Sequence, residues 1–201
     1  MKDNKVFVIT GATGVGKTTI ARYLQENYRM PRVITHTTRR PREREVNGIA
    51  YYFETDDSFE NNHYLERVTY AGAKYGSSYE GLDRAWQKSQ YITIVLDTAG
   101  AITYAQELGS RAIIIFVTVT SPSVLVDRVQ VRGDDPHAVK QRVASPEFLR
   151  DMKLPQNLKG RAYELVNDDW SKTKTRLDLL VTDIMHGRRL QIGRASCRER
   201  V

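Results

Sequence analysis

Residues 5–18 read Lys5-Val-Phe-Val-Ile-Thr10-Gly11-Ala12-Thr13-Gly14-Val15-Gly16-Lys17-Thr18. The first six form a short apolar, β-branched run of the kind buried in a parallel sheet. From Gly11 the chain fits G-x-x-x-x-G-K followed by Ser or Thr at every fixed position. A strand precedes the pattern, and a helix with Ile20, Leu24 and Tyr28 four apart follows it. That context marks a phosphate-binding loop. Phosphates need several backbone N–H donors converging on one point, and glycine lets the chain fold that tightly. The N-terminus of the next helix adds its positive dipole end. Lys17 is expected to reach the β- and γ-phosphates of a nucleoside triphosphate and the Thr18 hydroxyl to hold Mg²⁺, with Gly11, Ala12, Thr13, Gly14, Val15, Gly16 and Thr19 completing the cradle.

Outward from this loop, strand-like and helix-like stretches alternate. Short apolar runs at 32–36, 91–97, 112–119 and 162–166 are expected to be strands, with 112–119 at the centre of the sheet. The helix after residue 97 carries Ala101, Ala105 and Leu108 on one face. Leu177, Leu180, Val181, Ile184 and Met185 follow the spacing of an amphipathic helix that Gly187 can stop. Between 37 and 85 Gly, Asn, Asp and Tyr break the pattern. Between 123 and 160 the chain is charge-rich and helical, with Leu125 and Val129 inward and Asp135-Pro136 starting a new helix. The expected fold is α/β: a P-loop NTPase core with a mainly parallel sheet flanked by helices, an inserted small β lobe and a helical lid. The core comprises residues 1–36, 86–122 and 161–190, the lobe 37–85 and the lid 123–160.

The 201 residues suit one core with inserted lobes. No apolar run approaches the ~20 residues needed to span a bilayer, and the start, Met1-Lys2-Asp3-Asn4-Lys5, lacks the pattern of a signal peptide. A single cysteine, Cys197, excludes an internal disulfide and points to a reducing cytoplasm. His36, His63, His137 and His186 are scattered, without metal-ligand spacing. The net charge of +7 suits a polyanionic partner. Residues 192–201 read like a translated adapter, a non-native tail that is left out of fold reasoning. They carry Arg194, Arg198, Arg200 and Glu199.

A second cationic motif lies at Thr35-His-Thr-Thr-Arg39-Arg40-Pro41-Arg42-Glu-Arg44-Glu45. Two planar guanidinium groups, Arg39 and Arg42, suit a dianionic phosphate because arginine binds it bidentately and never loses its charge. Taken alone, the run reads more readily as a solvated charge run, a localisation signal or a nucleic-acid patch.

This motif continues through Gly48, Tyr51 and Phe53, and with Tyr64-Leu65-Glu66, Lys74-Tyr75-Gly76-Ser77, Leu96-Asp97, Gly100-Ala101, Arg132-Gly133, Arg142 and Asn167-Asp168-Asp169 it resembles the guanylate kinases over residues 5–185. The resemblance implies ATP and GMP as substrates, with Mg²⁺ accompanying ATP. It implies that Tyr51 and Tyr75 join Arg39 and Arg42 on the GMP phosphate and that Glu66 meets the N1–H and 2-amino donors of guanine. Ser77 then supplies a donor to O6, assisted by Thr35 and Asp97. Adenine lacks those donors, and a buried carboxylate facing it would be left unpaired at a cost of ~1–3 kcal/mol or more. By the same resemblance Asn167 lies near the adenine of ATP, and Arg132 and Arg142 lie on the lid. Lys17, Arg39, Arg42, Arg132 and Arg142 are then the catalytic cations. No general base is required, because the acceptor phosphate is already an anionic nucleophile.

The chain departs from the family's pattern at several places. Val95 stands where a carboxylate that supports Mg²⁺ is usual, Ala99 replaces Gln, Thr35 replaces Ser and Arg44 replaces Gly. Other readings are a divergent P-loop kinase with another small phosphorylated acceptor, and a guanylate-kinase-like binding module without catalysis. A nucleic-acid partner ranks last and no membrane partner is expected.

Overall fold

The computed structural model describes residues 4–70, 72–121, 125 and 145–188. Four strands, β1 (Lys5–Thr10), β6 (Tyr91–Val95), β7 (Ala112–Thr118) and β8 (Ala162–Val166), form an all-parallel sheet in the order β6-β1-β7-β8. The two inner strands are apolar on both faces. Alternation sends Phe7, Ile9, Ile115 and Val117 to one side, against α1 (Lys17–Tyr28) and α6 (Trp170–Met185). It sends Val6, Val8, Ile114 and Phe116 to the other, against α3 (Tyr79–Lys88) and α4 (Thr98–Leu108). All eight of these side chains are at most 2% exposed. Each contributes roughly 1.5–3 kcal/mol of transfer free energy, which makes this sheet the anchor of the molecule.

A second sheet, in the order β3-β2-β5-β4, makes the small lobe. β2 (His36–Thr37) and β3 (Tyr52–Phe53) have two residues each. β4 (Tyr64–Tyr70) and β5 (Ala73–Ser78) form a longer antiparallel hairpin. A short helix, α2 (Asp56–Glu60), precedes the hairpin.

The strand expected at 32–36 is split between the two sheets. Arg32 bridges Thr93 at the edge of β6, and the Val33 N–H donates to the Thr93 carbonyl at 2.8 Å. His36 and Thr37 then pair with Gly76 and Tyr75 in the lobe. Val33, 2% exposed, is the pivot, because its burial against the core holds the chain beside β6. The chain returns in α3, which Ser78 caps and which buries Leu82 and Ala85 on the core. A lobe boundary at residue 85 therefore falls inside a helix. The exit and the return lie side by side: the Ile34 carbonyl oxygen is 3.5 Å from where a Cβ on Gly81 would stand.

Two strand ends fall short of the sequence expectation, β6 at Val95 and β7 at Thr118. Asp97 caps α4 and so has left the sheet. In α6 Leu177, Leu180 and Val181 are buried as expected, but Met185 in the last turn is 40% exposed. The helix runs past the edge of the core there. Within the expected lid, Leu125 is fully buried and α5 (Pro146–Asp151) starts from a Ser145 cap. Arg132, Arg142 and the tail at 192–201 lie outside the described residues. Among the described residues, no helix is long and apolar enough to cross a membrane, and no group of three His, Cys, Asp or Glu is placed to hold a metal ion.

Candidate active site

The loop between β1 and α1 is shaped by backbone that only glycine adopts without strain. Gly11 and Gly16 have φ of 126° and 99°. A Cβ on Gly11 would strike the Val117 carbonyl, and one on Gly16 would strike the Asn167 amide. Asn167 is 6% exposed and follows β8 directly. Its backbone N–H donates to the Thr118 carbonyl at 2.8 Å, and its side-chain amide donates to the Val15 carbonyl at 2.7 Å. This side chain packs against the backbone of the phosphate loop. The Lys17 ammonium donates to the carbonyls of Gly11 and Ala12 at 2.5 and 2.9 Å, lying across the cradle it serves. Thr18 is exposed at the mouth of the cradle.

The hairpin β4–β5 supplies the facing wall. Glu66, Val68, Tyr70, Ala73 and Tyr75 line one cleft together with Thr13, Gly14, Gly16, Lys17 and Thr18. A bulge aims the carboxylate. Tyr64 pairs with Ser78 and Glu66 with Ser77, so Leu65 is an extra residue in β4. Leu65 and Glu66 are both buried, at 7% and 5% exposure, which strict alternation would forbid. Leu65 joins the core beside α4, and Glu66 faces the cleft.

Glu66 Oε1 accepts from the Ser77 hydroxyl at 3.1 Å, and Ser77 Oγ in turn accepts from the Tyr104 hydroxyl at 2.8 Å. Oε2 is buried without a partner. It sits 3.0 Å from where a Cβ on Gly100 would stand, so glycine at the start of α4 lets the carboxylate in. Burial pushes the Glu66 carboxyl up to about 8, with the Asp97 charge adding to the rise and the Ser77 hydrogen bond opposing it. Ser77 is fully buried behind Glu66, and its single proton goes to that carboxylate. Donation from Ser77 to O6, which the family resemblance implies, requires this proton to turn away from Glu66 Oε1. Thr35 does line the cleft.

Asp97 is engaged on both oxygens. Oδ1 accepts from the Gly100 N–H at 2.7 Å as the cap of α4, and Oδ2 accepts from Arg150 at 2.5 Å. Arg150 also donates to Asp151 at 3.0 Å, and Asp151 accepts from the Thr98 hydroxyl at 2.6 Å. Burial raises the Asp97 carboxyl above its ordinary value. Asp97 thus acts first as a helix cap and ion-pair partner, while its side chain still lines the cleft.

Arg39, Arg42 and Tyr51 complete the wall. Glu45 organises them, pairing with the Arg39 guanidinium and accepting the Arg42 backbone N–H, each at 2.9 Å. The Arg39 guanidinium lies 5.4 Å from the Tyr51 ring centre, and Tyr51 meets Tyr75 edge to face at 6.1 Å. Burial, with Tyr75 adding, raises the Tyr51 phenol above its ordinary value, so it is a neutral donor. Val95 also lines the cleft and presents an apolar side chain there.

The structure therefore gathers Thr13, Gly14, Gly16, Lys17 and Thr18 with Thr35, Arg39, Arg42, Tyr51, Glu66, Tyr75 and Asp97 around one cleft, while Gly11, Ala12, Val15, Thr19, Ser77 and Asn167 are not part of its lining. Sequence reasoning gives no role to Glu45, although it closes the cationic motif, nor to Tyr104, Arg150 or Asp151. Glu45 had a signal, an acid three residues after Arg42. Tyr104 had another, a hydroxyl on the apolar face of a helix. Arg150 and Asp151 had none, because Asp97 and Thr98, which they hold, lie 53 positions away.

The sequence profile of a family described as Guanylate kinase matches residues 3–182. The guanylate kinase of Neisseria gonorrhoeae is 32% identical over 197 residues, covering 96% of this chain and 94% of the relative. That of Chlamydia felis is 30% identical over 176 residues, covering 84% and 83%. The guanylate kinase structure from Anaplasma phagocytophilum superposes with a TM-score of 0.64 at 20% identity, over 99% of this chain and 94% of that one, and shares the fold.

Proposed function

Because this chain belongs to the guanylate kinase family, we propose that it transfers the γ-phosphate of ATP to GMP, giving ADP and GDP. It is an ATP-dependent nucleoside monophosphate kinase. The glycine loop and the N-terminus of α1 receive the triphosphate, and Lys17 exchanges its contacts with the Gly11 and Ala12 carbonyls for phosphate oxygens. Magnesium arrives as part of the donor substrate. The exposed Thr18 hydroxyl suits an ion that keeps several waters and takes its other ligands from phosphate. Val95 adds no oxygen at the place where the family resemblance expects a carboxylate.

Arg39, Arg42, Tyr51 and Tyr75 hold the GMP phosphate, with Glu45 keeping the two arginines in place. Glu66 meets the N1–H and 2-amino group of guanine, which favour its ionised form. Thr35 and Asp97 complete the acceptor site. The GMP phosphate attacks in line, and the charge that spreads over the moving phosphoryl group is met by Lys17 and Arg39. Arg132 and Arg142 belong to this proposal as further cations, and Asn167, which braces the phosphate loop, as a residue near the adenine of ATP. The cytoplasm, where both nucleotides occur, is the proposed place of action.

One observation carries this reading: a buried carboxylate and two arginines face the phosphate loop across a single cleft. A panel of nucleoside monophosphates, followed by ADP release, tests it. GMP should exceed AMP by at least a hundredfold in kcat/KM, and Glu66→Gln should raise the KM for GMP about tenfold to a hundredfold, the equivalent of ~1–3 kcal/mol. GMP no better than AMP would overturn the assignment.

A further inference from the structure

Tyr104 lies on α4, fully buried among apolar side chains, yet its hydroxyl is directed at the acceptor wall. It donates to Ser77 Oγ at 2.8 Å, and Ser77 donates to Glu66 Oε1 at 3.1 Å. A serine hydroxyl has one proton and two acceptor sites. With one acceptor site taken by Tyr104, the Ser77 proton has a settled direction, toward the carboxylate. The Glu66 oxygen left over, Oε2, is buried and has no partner.

We propose that Tyr104 is a positioning residue for acceptor recognition: through Ser77 it fixes one oxygen of Glu66 and leaves the other for the N–H donors of guanine. The chain of donors runs one way, from the core helix to the base. Burial holds the Tyr104 phenol well above its ordinary value, so it donates at every pH at which the protein is studied. Hydrogen bonds in series polarise one another in a low-dielectric interior, so loss of the first weakens the second. The relay rests on the reading of Glu66 as the partner of guanine.

Tyr104→Phe keeps the ring and removes only the hydroxyl. It should raise the KM for GMP about fivefold, the effect of one hydrogen bond, and leave kcat and the KM for ATP within about twofold. The pH dependence of the GMP KM should move to higher pH, because Glu66 loses part of the support for its charged form. In a Ser77→Ala background the same change should have no further effect on GMP, as a relay requires. An equal effect in both backgrounds, or parallel changes in the GMP and ATP KM values, overturns the relay. Glu66→Gln run alongside separates the two ideas. If it alters the GMP KM while Tyr104→Phe does not, only the relay falls; if it has no effect, the guanine reading falls and the relay with it.

Discussion

Glu66 is 5% exposed and its carboxyl is held at about 8, against an ordinary value of 4.5, chiefly by burial. The folded protein therefore keeps a proton that the unfolded chain releases once the pH passes the ordinary carboxyl range. The resulting stability is fully present below about pH 4.5 and is lost as the pH rises to about 8. Ionising this group in the unliganded protein costs a few kcal/mol, a cost that guanine's donors would offset under the proposed function. Glu66→Gln removes the ionisation and keeps the shape. Scanning calorimetry of the unliganded proteins should find similar melting temperatures near pH 5 and a variant that melts several degrees higher near pH 9. A variant that melts lower across the whole range would refute this account. The residue proposed for recognition is thus one that weakens the empty protein.

Among the elements, the donor loop was legible in the sequence because one motif fixes both its chemistry and its backbone. Gly11, Gly16 and Lys17 stand at fixed positions of a pattern that the flanking strand and helix confirm. The apolar runs of β1, β7 and β8 were equally plain. The lobe was not. β2 and β3 have two residues each and exist only through their pairing with β5 and one another, which no local pattern encodes. The bulge at Leu65 breaks the alternation from which the orientation of Glu66 would be read. Ser77 and Asp97 stand out in the sequence, but their partners Tyr104 and Arg150 come from other helices, so the hydrogen bonds that hold them are not legible there. The stiffness of the donor loop gives a prediction of its own. Gly16→Ala sets a methyl group against Asn167 in a left-handed backbone conformation that costs ~1–2 kcal/mol. The KM for ATP should rise at least tenfold, while GMP affinity measured by calorimetry without ATP stays within about threefold. Equal losses for both ligands would show that the two walls do not act separately.

Across the whole molecule, burial is concentrated in the parallel sheet and thins out in the lobe. Local opening follows that gradient. Amide exchange of the unliganded protein should be slowest in Val6–Ile9 of β1 and Ile114–Val117 of β7, and should reach β2 and β3 much sooner. GMP should slow the lobe more than MgATP does. Lobe amides as protected as those of β1 would contradict this. The two regions also differ in how they are joined. The chain departs at Ile34 and is back at Gly81 within van der Waals reach of its point of departure. A segment whose two ends touch can be gained, lost or exchanged without disturbing its host. Ancestry could therefore re-equip this phosphate-handling chassis with a different acceptor reader by a single insertion event, with no rewiring of the strands beneath.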